Sequence, residues 1–193
     1  MKYIVRKVRD LILFVVCLSA LTLPLDQWLK HSARKNFLAM EDSDDTTIYQ
    51  GRRQEILAAD LGLFWVGISE TYVRNHGASW GFWGGIKSNF RVFALVTAGL
   101  VATMGLFWGA IKLSLTGYVW SAYALCGVIA GSFGNILDRL RLGYVVDFLT
   151  IKFGITTWSL LIPSFNLADI IIVLSLILLI TTMHLKADGG TSK

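Results

Sequence analysis

Charge is scarce in this chain, and its scarcity is organised. Only 16% of the 193 residues are Asp, Glu, Lys or Arg, against about 25% in a soluble domain. Whole stretches of membrane-spanning length carry no charge, which argues against a soluble globular fold. Cysteine is almost absent: Cys17 and Cys126 stand alone in apolar runs. Neither has a Cys or His partner at metal-ligand spacing, so no disulfide framework or zinc site is expected, and both are expected to be small core residues. Glycine-rich Gly81 to Gly85 lacks a Lys-Ser/Thr ending and is no phosphate loop. Ser79 and Ser132 lack a base partner for a Ser-His triad. The formal charge of +5 comes without a Lys/Arg stripe interleaved with aromatics, so no nucleic-acid partner is implied. Lys2, Arg6, Lys7 and Arg9 lie beside the first apolar run and suit anionic membrane lipids.

What the chain does have is hydrophobic length: 54% of its residues are apolar. Four runs qualify as spans, at roughly 8–28, 92–111, 113–137 and 167–185. The first passes into Pro24, Asp26 and Trp28 rather than a small-x-small cleavage site, so an uncleaved helix is expected. Spans two and three are separated only around Lys112, which predicts a tight antiparallel pair. A long loop, 29–91, joins spans one and two. It opens with the acidic run Glu41 to Asp45, continues through Arg52, Arg53 and Glu55 as an expected short surface helix, and reads as strand over Gly62–Arg74. Trp65, Trp80 and Trp83 suit a platform at headgroup level. A second loop covers 138–166. The expected fold is mainly α and integral to the membrane: a single domain, 1–193, of four transmembrane helices with a small extracytoplasmic β-sheet and loop subdomain. The basic quartet before span one puts both termini in the cytoplasm.

With that topology the polar features gather at one face. Asp26, Gln27 and Lys30 close span one; Asn75 to Ser79 lie in the first loop; Gly134, Asn135, Asp138 and Arg139 close span three; Asp147 follows; Asn166 and Asp169 open span four. An ionisable group in a span costs at least ~2.5–3.5 kcal/mol and is a functional candidate by default. Asp169, in Leu167-Ala168-Asp169-Ile170-Ile171-Ile172, is the sharpest case, and Asp147 is a carboxylate set among Val145, Val146 and Phe148. Two carboxylates in a low-dielectric site cannot both ionise cheaply. Such a pair holds one proton and a water between its members, which is aspartic protease chemistry needing neither metal nor cofactor. Blander readings compete. Asp138 is as readily structural, Asn75, Asn135 and Asn166 can hydrogen-bond across helices, and His76 sits at an exposed-looking turn with little claim to catalysis. The residues alone support a membrane enzyme and a proton-coupled transporter about equally, with a non-catalytic scaffold last.

Five ordered blocks resemble the lipoprotein signal peptidases (signal peptidase II). They are Asp26-Gln27-x-x-Lys30, Asn75-x-Gly77-Ala78-Ser79-Trp80-Gly81, Gly131-x-x-Gly134-Asn135-x-x-Asp138-Arg139, Val145-Val146-Asp147-Phe148 and Phe165-Asn166-x-Ala168-Asp169. Trp80 stands where the family usually has Phe, Ala130 where its glycine block often begins, and the acidic insert lengthens the first loop. The resemblance implies an intramembrane aspartic endopeptidase of the bacterial cytoplasmic (inner) membrane. It would cleave prolipoproteins on the amino side of a diacylglyceryl-modified cysteine, at the extracytoplasmic face. Asp147 and Asp169 become the catalytic pair. Asn75, Gly77, Asn135, Arg139 and Asn166 become supports or substrate contacts, Asp138 a support, and Asp26 and Lys30 polar elements at the site rim. Implied partners are lipid-modified prolipoproteins, membrane lipids and globomycin-like inhibitors, acting on a monomer with no cofactor.

Overall fold

A computed structural model describes residues 1–38, 54–60, 64–77, 88–155 and 158–188. The acidic run, Arg52, Arg53, Ser79 to Gly81, Trp83 and Gly85 lie outside the described residues. The element order is α1 (Lys2–Leu38), β1 (Gln54–Asp60), β2 (Phe64–Asn75), α2 (Ser88–Leu115), α3 (Val119–Leu142), β3 (Val145–Ile155), β4 (Trp158–Phe165) and α4 (Leu167–Asp188). All four helices are long and apolar enough to cross a bilayer. α3 is the hub: 67% of its span is buried, against 6% in each of the others, which turn Leu13, Val16, Val101, Met104, Leu174 and Ile180 outward. Large apolar side chains so exposed require an apolar solvent.

Glycine lets α4 approach the hub. A Cβ at Gly131 would lie 2.9 Å from the Ala168 carbonyl oxygen and 2.9 Å from Ile172, and one at Gly127 would collide with Ser175. Small residues four apart bring helix backbones together where lipid supplies no hydrophobic drive. α2 and α3 turn on Gly117, whose φ of 86° favours glycine. The link therefore lies at Thr116–Tyr118 rather than around Lys112, which falls inside α2. Charge marked the wrong residue, because the break depends on backbone freedom. Cys126 is buried as expected, but Cys17 is exposed, on the outer face of α1.

The four strands form one antiparallel sheet in the order β1-β2-β3-β4. Strand was expected over Gly62–Arg74, and β2 supplies it. The short surface helix expected at Glu55 is instead strand β1. The second loop is the hairpin β3–β4. Pro163 in β4 sits on an edge strand where the register with β3 shifts, one of the few places a sheet admits proline. The hairpins leave the C-terminal ends of α1 and α3 and return to the N-terminal ends of α2 and α4. One end of the bundle is thereby capped by sheet, and pairing of β2 with β3 joins the two halves of the chain there.

Candidate active site

Beneath the sheet, five elements deliver polar side chains to one buried cluster. β3 brings Asp147, 3% exposed. Its register with β2 shifts between Glu70 and Val73, so two β2 residues oppose Phe148 just before Asp147 pairs with Val73. Bulges of this kind re-aim side chains and are frequent beside active sites. Asn75, opposite Val145 and hence diagonal to Asp147 on the same face, donates its side-chain N–H to Asp147 Oδ2 at 3.0 Å.

Asp169 is fixed by the way α4 begins. Asn166 precedes the helix, and its Oδ1 accepts the Asp169 backbone N–H at 3.1 Å. Asp169 Oδ2 accepts the Asn166 backbone N–H at 3.1 Å in return. This is a reciprocal capping box, with Asn and Asp in the roles more often taken by Ser/Thr and Glu. The same Asn166 spans the pair, its Nδ2 donating to Asp147 Oδ1 at 2.7 Å and to Asn135 Oδ1 at 3.1 Å. Asn135 Nδ2 donates to Asp169 Oδ1 at 2.8 Å. Each of the four carboxyl oxygens of Asp147 and Asp169 therefore accepts one N–H, while its other lone pair remains for a proton or water. Burial, and then the neighbouring Asp169 charge, push the Asp147 carboxyl up to about 7; the hydrogen bonds from Asn75 and Asn166 and the charge of Lys30 act against this.

A second layer sets the orientation of the first. Lys30 Nζ lies 2.8 Å from Asp26 Oδ2, 3.0 Å from Asp138 Oδ2 and 3.1 Å from Asn135 Oδ1, which occupies its three N–H groups. Lysine only donates, so the oxygen of Asn135 faces Lys30 and its NH2 faces Asp169. Asp26 Oδ1 accepts the Ala168 backbone N–H at 3.1 Å, and Asp138 Oδ2 the Val146 N–H at 3.2 Å, tying α4 and β3 to the cluster. Asp26, Lys30 and Asp138 are 1%, 3% and 2% exposed. The expectation of Asp26 and Lys30 at a rim is thus corrected: three mutually satisfied groups are cheaper to bury than one, and here they form the floor. Gly134 makes room for them, since a Cβ there would lie 2.6 Å from Asp26 Oδ2.

Arg139 donates to the Asn135 carbonyl at 3.2 Å and to the Gly77 carbonyl at 3.3 Å, while its buried Nε has no partner among the described residues. His76 is half-buried, against the expected exposure, and packs on Tyr144 at 5.2 Å. Burial, then the charges of Arg91 and Arg74, lower its pKa, which keeps it neutral. Asp26, Lys30, Asn75, Asn135, Asp138, Arg139, Asp147, Asn166 and Asp169 all converge, and Gly77 reaches the cluster through its carbonyl. Gln27, placed by the sequence in the first block without a role, donates to Asp138 Oδ1 at 2.7 Å. Sequence reasoning missed the buried hydroxyl ladder Thr71–Thr150–Ser164 behind the site, with links of 3.0 and 2.7 Å, because two of its members lie in the segment read as loop. Among the described residues no group of three or more His, Cys, Asp or Glu could hold a metal ion.

Comparison with known proteins relates the chain to a family. The chain is 31% identical over 178 residues to a lipoprotein signal peptidase of Syntrophus aciditrophicus, covering 92% of this chain and 96% of that one. It is 31% identical over 163 residues to a lipoprotein signal peptidase of Enterococcus faecalis, covering 83% and 81%. A solved bacterial membrane enzyme shares the fold with a TM-score of 0.58 at 20% identity, covering 93% of this chain and 92% of that one. The sequence profile of the family described as signal peptidase (SPase) II matches residues 18–185, from the middle of α1 through nearly all of α4 and so across every residue of the cluster, and the chain belongs to that family.

Proposed function

We propose that the chain is an aspartic endopeptidase that removes the signal peptide from diacylglyceryl-modified prolipoproteins, cutting on the amino side of the lipidated cysteine. The observation that carries this reading is the buried Asp147–Asn166–Asp169 linkage, in which burial and a like charge hold one carboxyl protonated near neutral pH. In the proposed mechanism a water sits between the two carboxyls. Ionised Asp169 takes a proton from it as it attacks the scissile carbonyl carbon, and protonated Asp147 gives its proton to the carbonyl oxygen. The tetrahedral diol collapses as the C–N bond breaks: one hydroxyl returns its proton to Asp147, and the cysteine nitrogen leaves with the proton collected by Asp169. Arg139, with its unspent Nε, and the Gly77 strand end hold the substrate backbone. Asn75, Asn135 and Asn166 orient the pair, and Asp26, Lys30 and Asp138 fix the floor. Membership of a peptidase family favours this reading over a proton-coupled transporter using the same aspartates.

The substrate's acyl chains confine it to the bilayer, and the site lies where helix ends meet a sheet, at a depth that both lipid and water reach. The proposal extends to a monomer in the bacterial cytoplasmic membrane, termini cytoplasmic, cleaving at the extracytoplasmic face and inhibited by globomycin-like cyclic peptides. Asp147→Asn and Asp169→Asn keep side-chain shape and remove the acid–base function. Each is expected to slow cleavage of a synthetic diacylglyceryl-cysteine precursor in detergent roughly 100- to 10,000-fold. Mass spectrometry of the products reads the cut position, and retained turnover in both variants sinks the assignment.

A further inference from the structure

The cations at the sheet end of the bundle are not all consumed by the buried cluster. A cavity of about 320 Å³ opens between α1 and the end of α3, lined by His31, Arg34 and Arg141 together with Trp28, Lys30 and Asp138. Lys30 is spent on Asp138 at 3.0 Å and Asp26 at 2.8 Å, so the floor supplies no free cation. The surplus is in the walls: among the described residues no carboxylate lies within ion-pair distance of Arg34 or Arg141. Arg141 donates one N–H to Gln27 Oε1 at 3.3 Å. The cavity lies at the polar end of both helices. His31, Arg34 and Arg141 lie one to three helical turns past Leu25 and Leu137, where the uncharged runs of α1 and α3 end, a position that suits lipid headgroups. Trp28 and Leu140 beside them are each 63% exposed, which suits contact with lipid rather than water.

We propose that this cavity seats the phosphodiester of an anionic glycerophospholipid between Arg34 and Arg141. Guanidinium forks match phosphate oxygens two at a time, and charge-assisted bonds of this kind are about twice as strong as neutral ones. The volume is at the lower end of the ~300–1,000 Å³ of small-molecule sites, enough for a headgroup while the acyl chains lie along the helices. Free inorganic phosphate offers the same oxygens, but the opening at headgroup depth beside exposed apolar side chains favours the lipid. Because Lys30 and Asp138 belong both to this lining and to the buried floor, an occupied seat braces the α1–α3 contact under Asn135.

The test uses the purified full chain in neutral detergent, with native mass spectrometry and thermal unfolding as readouts. Phosphatidylglycerol is expected to bind and raise the unfolding temperature; phosphatidylcholine and inorganic phosphate at equal concentration are expected to do neither. Arg34→Gln/Arg141→Gln is expected to weaken phosphatidylglycerol binding by at least about tenfold. Unchanged binding by that variant, or phosphatidylcholine equal to phosphatidylglycerol on the wild type, overturns the proposal. Phosphate reproducing the full shift overturns the lipid as occupant. Should the double variant not fold, the wild-type discrimination and the two single variants, each expected to lose about threefold, decide in the same way.

Discussion

Removing the positive charge from the buried floor should cost far more than removing one of its negative charges. Lys30 is 3% exposed and touches Asp26, Asp138 and Asn135 at 2.8, 3.0 and 3.1 Å. The triad of Lys30, Asp26 and Asp138 carries a net charge of −1. Lys30→Met leaves a side chain of similar volume but strands two carboxylates, 1% and 2% exposed, at −2, at a cost of about 3–5 kcal/mol. Asp26→Asn brings the triad to neutrality and gives up about one charge-assisted hydrogen bond, a cost of about 1–2 kcal/mol. For a chain of this size the difference is roughly 5–10 °C in unfolding midpoint. Thermal unfolding of both purified variants in the same detergent measures it. If Asp26→Asn is as damaging as Lys30→Met, or more so, the charge accounting is wrong and the floor is held by shape.

The Asp147 carboxyl titrates at about 7 in the folded chain against an ordinary 3.8, so the folded state holds the proton more tightly. The contribution of this group to stability is therefore full at low pH, falls by up to about 4 kcal/mol as pH rises between the two values, and levels off above them. The difference between wild-type and Asp147→Asn unfolding midpoints across that window isolates this contribution, and a difference that grows in favour of the wild type as pH rises refutes the sign. Gly134→Ala pushes a methyl to 2.6 Å from an Asp26 oxygen that is already held by Lys30 and so cannot yield. A loss of about 1–3 kcal/mol is expected by chemical or thermal unfolding, whereas Gly105→Ala, with open space around its Cβ position, should cost nothing.

The spans were legible because hydropathy is written residue by residue, and a run such as Val92 to Ile111 has one reading. The aspartates were legible because Asp147 and Asp169 keep apolar company that would otherwise make no sense. Other features depended on partners far along the chain. Nothing near Lys30 says that its third acceptor is Asn135, 105 residues away, so it read as a rim residue when it is the floor. The β3–β4 hairpin was obscured because Val145–Ile155 lacks a clean alternation and Pro163 interrupts β4. Both make sense only once the register shifts and the edge position are known. The capping box of α4 was visible in the letters Asn166-x-x-Asp169, yet its double duty, starting a helix and aiming a carboxylate, needed the fold.

That capping box also sets a timetable. Asp169 belongs to the last of the four helices, and its partner Asp147 to a strand that needs β2 from the first half of the chain. Until α4 is in place, Asp147 lacks its contact with Asn166 and the neighbouring Asp169 carboxyl. The pair is completed when α4 docks against the hub glycines, so under the proposed function a nascent chain has no assembled pair with which to cut, and inserting the last helix arms it.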